Sequence, residues 1–140
     1  MGKRALTTDD IFEKIQAGES ICTEEIDFVS PEDLRHALYN EFQKHGYSSN
    51  QIATECGISP SQLSDFLNSK KQMSRDKLLS IFITLQFNIE KVQKSLLRFG
   101  LSELYPRNAR DFLILKGIKD ELSLDDINEN LRKEHLDTLC

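Results

Sequence analysis

The stretch Ser49-Asn50-Gln51-Ile52-Ala53-Thr54-Glu55-Cys56-Gly57-Ile58-Ser59-Pro60-Ser61-Gln62-Leu63-Ser64-Asp65-Phe66-Leu67-Asn68 decides the fold. It reads as two short helices joined by a tight turn. Ile52, Ala53 and Cys56 keep helical spacing in the first half, and Leu63, Phe66 and Leu67 keep it in the second. Ala53 is small, as a close crossing by a second helix requires. Gly57, four residues on, takes the φ > 0 that the turn demands. Ile52, Cys56, Ile58, Leu63 and Phe66 supply the apolar groups that fix such a pair to a third helix. Ser59-Pro60-Ser61-Gln62 reads as a capping box, with Pro60 in the first turn, where its missing N–H is tolerated.

Helix signals extend to both sides. Upstream, Ser30-Pro31-Glu32-Asp33 opens a helix carrying Leu34, Ala37, Leu38 and Phe42, closed near Gly46. Thr8-Asp9-Asp10 opens a shorter one that ends near Gln16, before Gly18, and Glu19–Val29 reads as an irregular connection. Downstream, Ser74, Asn88, Asn108 and Ser123 cap four more helices with apolar residues at helical spacing. No segment alternates with period two between hairpin signals. The expected class is all-α. Residues 1–29 form an acidic arm with a short helix, residues 30–100 a bundle of about five helices, and residues 101–140 a helical extension.

The chain has 140 residues and a net charge of −5. That balance argues against a general nucleic-acid binder. The charge is uneven, however: residues 1–43 carry −6, residues 44–77 carry +2 and residues 78–140 carry −1. The only positive block contains the two-helix stretch and the cluster Lys70, Lys71, Arg75 and Lys77. No apolar run is long enough to span a membrane. No apolar stretch follows Met1-Gly2-Lys3-Arg4, so no secretory signal is expected. Three widely spaced cysteines, Cys22, Cys56 and Cys140, point to a reducing cytoplasm and not to a disulfide framework.

The spacing of Ala53, Gly57 and their apolar neighbours resembles the helix-turn-helix of the lambda-repressor-like, Cro-type (XRE) regulators. Gly57-Ile58-Ser59-Pro60-Ser61-Gln62-Leu63-Ser64 looks like their turn and the start of their recognition helix. Lys71–Leu79, Leu96–Gly100 and Leu104–Asp111 are similar to one bacterial group of these proteins, in which a short helical tail follows the motif. The resemblance covers about residues 31–139 and implies a sequence-specific transcriptional regulator. In such a fold the second helix enters the major groove with its outward N-terminal residues at base edges. Ser61, Gln62, Ser64 and Asp65 are then the base readers, with Gln62 suited to a bidentate bond to adenine. Asp65 has a second reading, a carboxylate paired with a nearby lysine. Pro60 departs from the many members that place a polar reader there. Phosphate contacts fall to Ser49, Asn50, Asn68, Lys70, Lys71 and Arg75. Arg75 also has a structural reading, as a pair with Asp76 or with the tail.

One recognition helix discriminates too little for a genome, so a homodimer on a two-fold site of double-stranded DNA is expected. Residues 101–139 are the candidate dimer surface; packing on their own chain is the alternative. Phe112–Leu115 is apolar on every side, which predicts a helix buried on most of its circumference. A weak echo at a shift of 75 residues pairs Arg35 with Arg110 and Ile52 with Ile127, but Asn128 and Arg132 stand where Ala53 and Gly57 would recur. His36, His45 and His135 have no cysteine at ligand spacing, and no phosphate loop, nucleophile elbow or carboxylate dyad occurs. No metal, cofactor or enzymatic activity is expected. A different class, a protein-interaction module such as an antitoxin-like or adaptor protein using the acidic arm and the tail, fits the same sequence.

Overall fold

Serine and asparagine at helix starts do most of the local specification. The computed structural model describes residues 8–18 and 30–140, and within them every regular element is an α-helix. One unit, residues 1–30, contains α1 (Thr8–Gln16), followed by Gly18 at φ 69°. Phe12 and Ile15 are exposed on α1. The connection expected at 19–29 lies outside the described residues.

The other unit, Pro31–Cys140, contains α2 (Pro31–Lys44), α3 (Ser49–Cys56), α4 (Pro60–Leu67), α5 (Arg75–Thr84), α6 (Ile89–Arg98), α7 (Ala109–Lys119) and α8 (Leu124–Lys133). From α3 to α8 each helix opens on Ser48, Ser59, Ser74, Asn88, Asn108 or Ser123, whose side chain accepts the amide three residues on. Each cap is worth about 1 kcal/mol. The complete capping box lies at Ser48, where Gln51 returns the bond through Oε1. The box expected at Ser59 is half made: Ser59 Oγ accepts from the Gln62 amide, while the Gln62 side chain does not reach back.

α5 is the central helix. Leu78, Leu79, Ser80, Ile81, Phe82 and Ile83 are all buried, and a helix buried on every side must be surrounded. It packs against α3, α6 and α8, while α2 covers α3 and α4. The core runs without interruption from Leu38 and Phe42 through Phe66, Phe82 and Leu96 to Ile114, Ile127, Leu131 and Leu139. Residues 101–140 therefore share one core with residues 31–100.

α7 departs from expectation. Its buried face is Asp111, Ile114, Gly117 and Ile118, whereas Leu113 and Leu115 are half-buried and Phe112 is 50% exposed. An unbroken apolar run overstates burial when neighbouring helices cover only one side. Gly117 marks the closest crossing, since a Cβ there would lie 2.5 Å from Ile127 Cγ1. After α8 the chain turns back. The buried Asn128 accepts the Leu139 amide at 2.8 Å and donates to Cys140 Sγ at 3.2 Å. This returning segment reaches the α3–α4 turn, where a Cβ on Gly57 would meet Cys140 Cβ at 3.4 Å.

Candidate nucleic-acid interface

The two helices of the decisive stretch form as their sequence requires. Ala53 is fully buried, and Gly57 closes α3 at φ 65° and ψ 29°. The Ile58 amide then bonds back to Ala53 O at 2.9 Å, and Ile58 itself is buried. Ile52, Leu63 and Phe66 hold both helices to the core, with Leu67 partly buried beside them.

The outer face of α4 is polar. Ser61 and Ser64 are exposed, and Gln62 and Asp65 are half-buried. Among the described residues no hydrogen bond engages the Gln62 carboxamide, unlike that of Gln51, which is consumed in a cap. Asn68 caps the C-terminus of α4 and donates from Nδ2 to Ser64 Oγ at 3.3 Å. Asp65 holds the segment that follows: its carbonyl accepts the amides of Lys70 and Lys71, and its carboxylate lies 3.9 Å from Lys71 Nζ. Of its two readings, the lysine pair is the one present here. Lys70 and Lys71 are exposed beside it, and at the start of α3 Asn50 is exposed and Ser49 half-buried.

Arg75 stands apart from this set. Its guanidinium bonds both oxygens of Asp111, at 3.3 and 3.1 Å, and the carbonyls of Ser102 and Glu103. The structural reading, with the tail as partner, is the one the side chain adopts, and little of the guanidinium is left for a phosphate. The neighbouring pair is reciprocal. Arg110 bonds both oxygens of Asp76 at 3.0 Å, and the carbonyls of Asp137 and Thr138. Two Arg-Asp dipeptides, each in the first turn of a helix, thus exchange partners and join α5 to α7. The repeated dipeptide was visible in the sequence; its pairing was not.

Arg35 was missed as a site residue. It shares the core face of α2 with Leu38 and Phe42, whereas Leu34 and Ala37 lie further out. The i, i+3, i+7 spacing of these three residues was the available signal. Its Cζ sits 4.9 Å from the Phe66 ring centroid, and Nη1 donates to Ser69 Oγ at 2.9 Å.

Cys56 belongs to the core beneath the turn. Burial pushes its thiol up to about 11, against a smaller opposing hydrogen bond with Thr84. Among the described residues no three His, Cys, Asp or Glu side chains converge as metal ligands, and no helix is long and apolar enough to cross a membrane. In comparisons with known proteins, the chain matches no family model, no curated protein and no solved structure.

Proposed function

We propose that the protein is a sequence-specific DNA-binding transcriptional regulator that presents α4 to the major groove. The observation that carries this reading is the two-sided character of α4. Leu63 and Phe66 lock its inner face, while at its N-terminal end Ser61 is exposed and the half-buried Gln62 has no hydrogen bond to its carboxamide among the described residues. A free carboxamide on a rigid helix is the group that bonds adenine N6 and N7 bidentately. Lys70 and Lys71, together with the start of α3, supply the phosphate-binding flank. The two described cysteines are free thiols, which agrees with a cytoplasmic setting.

Selection of bound duplexes from random DNA, at stated salt, tests the reading. An enriched two-fold site is expected; a pool with no enriched site would sink it. On the selected duplex, Gln62→Ala should cost about 1–3 kcal/mol and relax discrimination at one base pair per half-site. Lys70→Ala with Lys71→Ala should weaken all sequences alike and lower the salt slope by about two.

Within this reading, one observation favours residues 101–140 as the dimer surface. Tyr105 is 59% exposed, its amide bonded to Asp111, and Phe112 follows Asp111 in the chain. A second copy of the chain is the partner that a two-fold operator requires. Sedimentation of Phe112→Ser against the parent chain distinguishes the cases, since a dimer built on this surface dissociates and a monomer is unchanged.

A further inference from the structure

α2 carries a charge where its register calls for a hydrocarbon. Arg35 is 6% exposed, on the same face as Leu38 and Phe42. A guanidinium withdrawn from water is expensive unless it is paired and hydrogen-bonded. The Phe66 ring and Ser69 Oγ recover part of that cost, and the end of α4 offers the partial negative charge of its last carbonyls. Among the described residues no carboxylate pairs with Arg35, and its Nε is the one buried side-chain nitrogen or oxygen without a hydrogen-bond partner. Arg75 and Arg110, by contrast, each hold a carboxylate through two bonds.

Ser69 follows the α4 C-cap at φ 62°, a left-handed conformation that serine rarely adopts, and its hydroxyl meets the guanidinium. Ser69 is exposed, so the buried charge lies one hydrogen bond beneath the surface. Lys70 and Lys71, the next two residues, are exposed as well. The Nε side of an arginine is one edge of the fork that binds planar or tetrahedral oxyanions.

We infer that Arg35, Ser69 and Lys70 form a seat for a single phosphoryl group, a backbone phosphate of the duplex that α4 reads. This inference rests on the DNA-binding reading for the identity of the ligand, though not for the existence of the seat. The anion supplies the negative charge that the core withholds. Because Arg35 also stacks on Phe66, the bound phosphate and the inner face of α4 share one anchor, which sets the angle of the helix on the duplex.

The test follows thermal unfolding of the full chain in low-millimolar inorganic phosphate and in chloride at matched ionic strength and pH. The parent chain, Arg35→Met and Arg35→Lys are compared, each also titrated with the selected duplex. Phosphate should raise the midpoint of the parent chain, with most of the rise lost in Arg35→Met. In chloride Arg35→Met should be at least as stable as the parent, because methionine fills the space without a buried charge. On the duplex Arg35→Met should bind at least tenfold more weakly, with a salt slope smaller by about one. Arg35→Lys keeps the charge but not the fork, and should fall between the two; it carries the comparison if Arg35→Met does not fold. An equal phosphate effect in parent and variants, or none in the parent, overturns the seat. So does a variant that loses stability in chloride while keeping its salt slope, which would make Arg35 structural only. A phosphate effect that depends on Arg35, in a chain that binds no duplex, keeps the seat and removes the DNA reading.

Discussion

Gly57 and Gly117 are required for different reasons, and only one was legible in the sequence. Gly57 sits at a positive φ between two capped helices, so spacing alone identifies it. Gly117 has ordinary helical geometry, and its need comes from Ile127, whose Cγ1 and Cδ1 would lie 2.5 and 2.8 Å from an added Cβ. That is a fact of tertiary packing. Gly117→Ala should cost about 1–3 kcal/mol in urea unfolding, and less than that when Ile127→Ala makes room. Cys56 gives a pH prediction. Its folded-state pKa is raised, so the folded chain keeps a proton that the unfolded chain releases above about 9. Its contribution is intact at neutral pH and declines as pH climbs from 9.0 towards about 11. Comparing unfolding across that window with Cys56→Ala, which lacks the decline, checks it. Arg35 was hard to read because polarity patterns assign arginine to the surface, and its helical spacing with Leu38 and Phe42 was the one signal against that assignment.

At the scale of elements, capping chemistry made the helix boundaries readable, because Ser and Asn act on amides three residues away. Pairing between distant helices was not readable, and the exchange between Arg75-Asp76 and Arg110-Asp111 shows why. Four charges in two dipeptides allow local pairs, crossed pairs or solvation, and only the fold selects among them. The two crossed pairs should differ in energy. Asp111 is buried and also accepts the Tyr105 amide, so Asp111→Ala leaves Arg75 unpaired and should cost about 3 kcal/mol. The Asp76 side chain is 41% exposed, and Asp76→Ala should cost about 1 kcal/mol or less. A double-mutant cycle with Arg75→Ala and Asp111→Ala measures the coupling directly. The α7 run Phe112–Leu115 failed as a guide to burial for a related reason: hydrophobicity reports what a helix tolerates on each face, not how many neighbours it has.

For the whole molecule, the division of residues 31–140 at residue 100 does not survive in the core. α5 packs against both α3 and α8, and Ile114, Ile127 and Leu131 belong to the same apolar cluster as Phe66 and Phe82. Removing residues 101–140 would expose part of α5 and free Arg75 and Asp76 from their partners. Such a truncation should lose cooperative unfolding and near-ultraviolet dichroism, and would not yield a free-standing domain. The candidate site was therefore half legible. The sequence contained the outward face of α4 and left Arg75 between a phosphate and the tail, but it did not reveal the burial of Arg35 beneath Ser69.

The returning segment gives the molecule a ready place for a reporter. Cys140 is exposed, sits against the Gly57 turn and bonds only softly to Asn128, while Cys56 stays protonated in the core. With Cys22 replaced by serine, one thiol-reactive fluorophore would attach at Cys140, next to the α3–α4 turn yet on a different part of the chain. Its emission would then follow changes at that turn in real time, without an added cysteine and with α4 itself untouched.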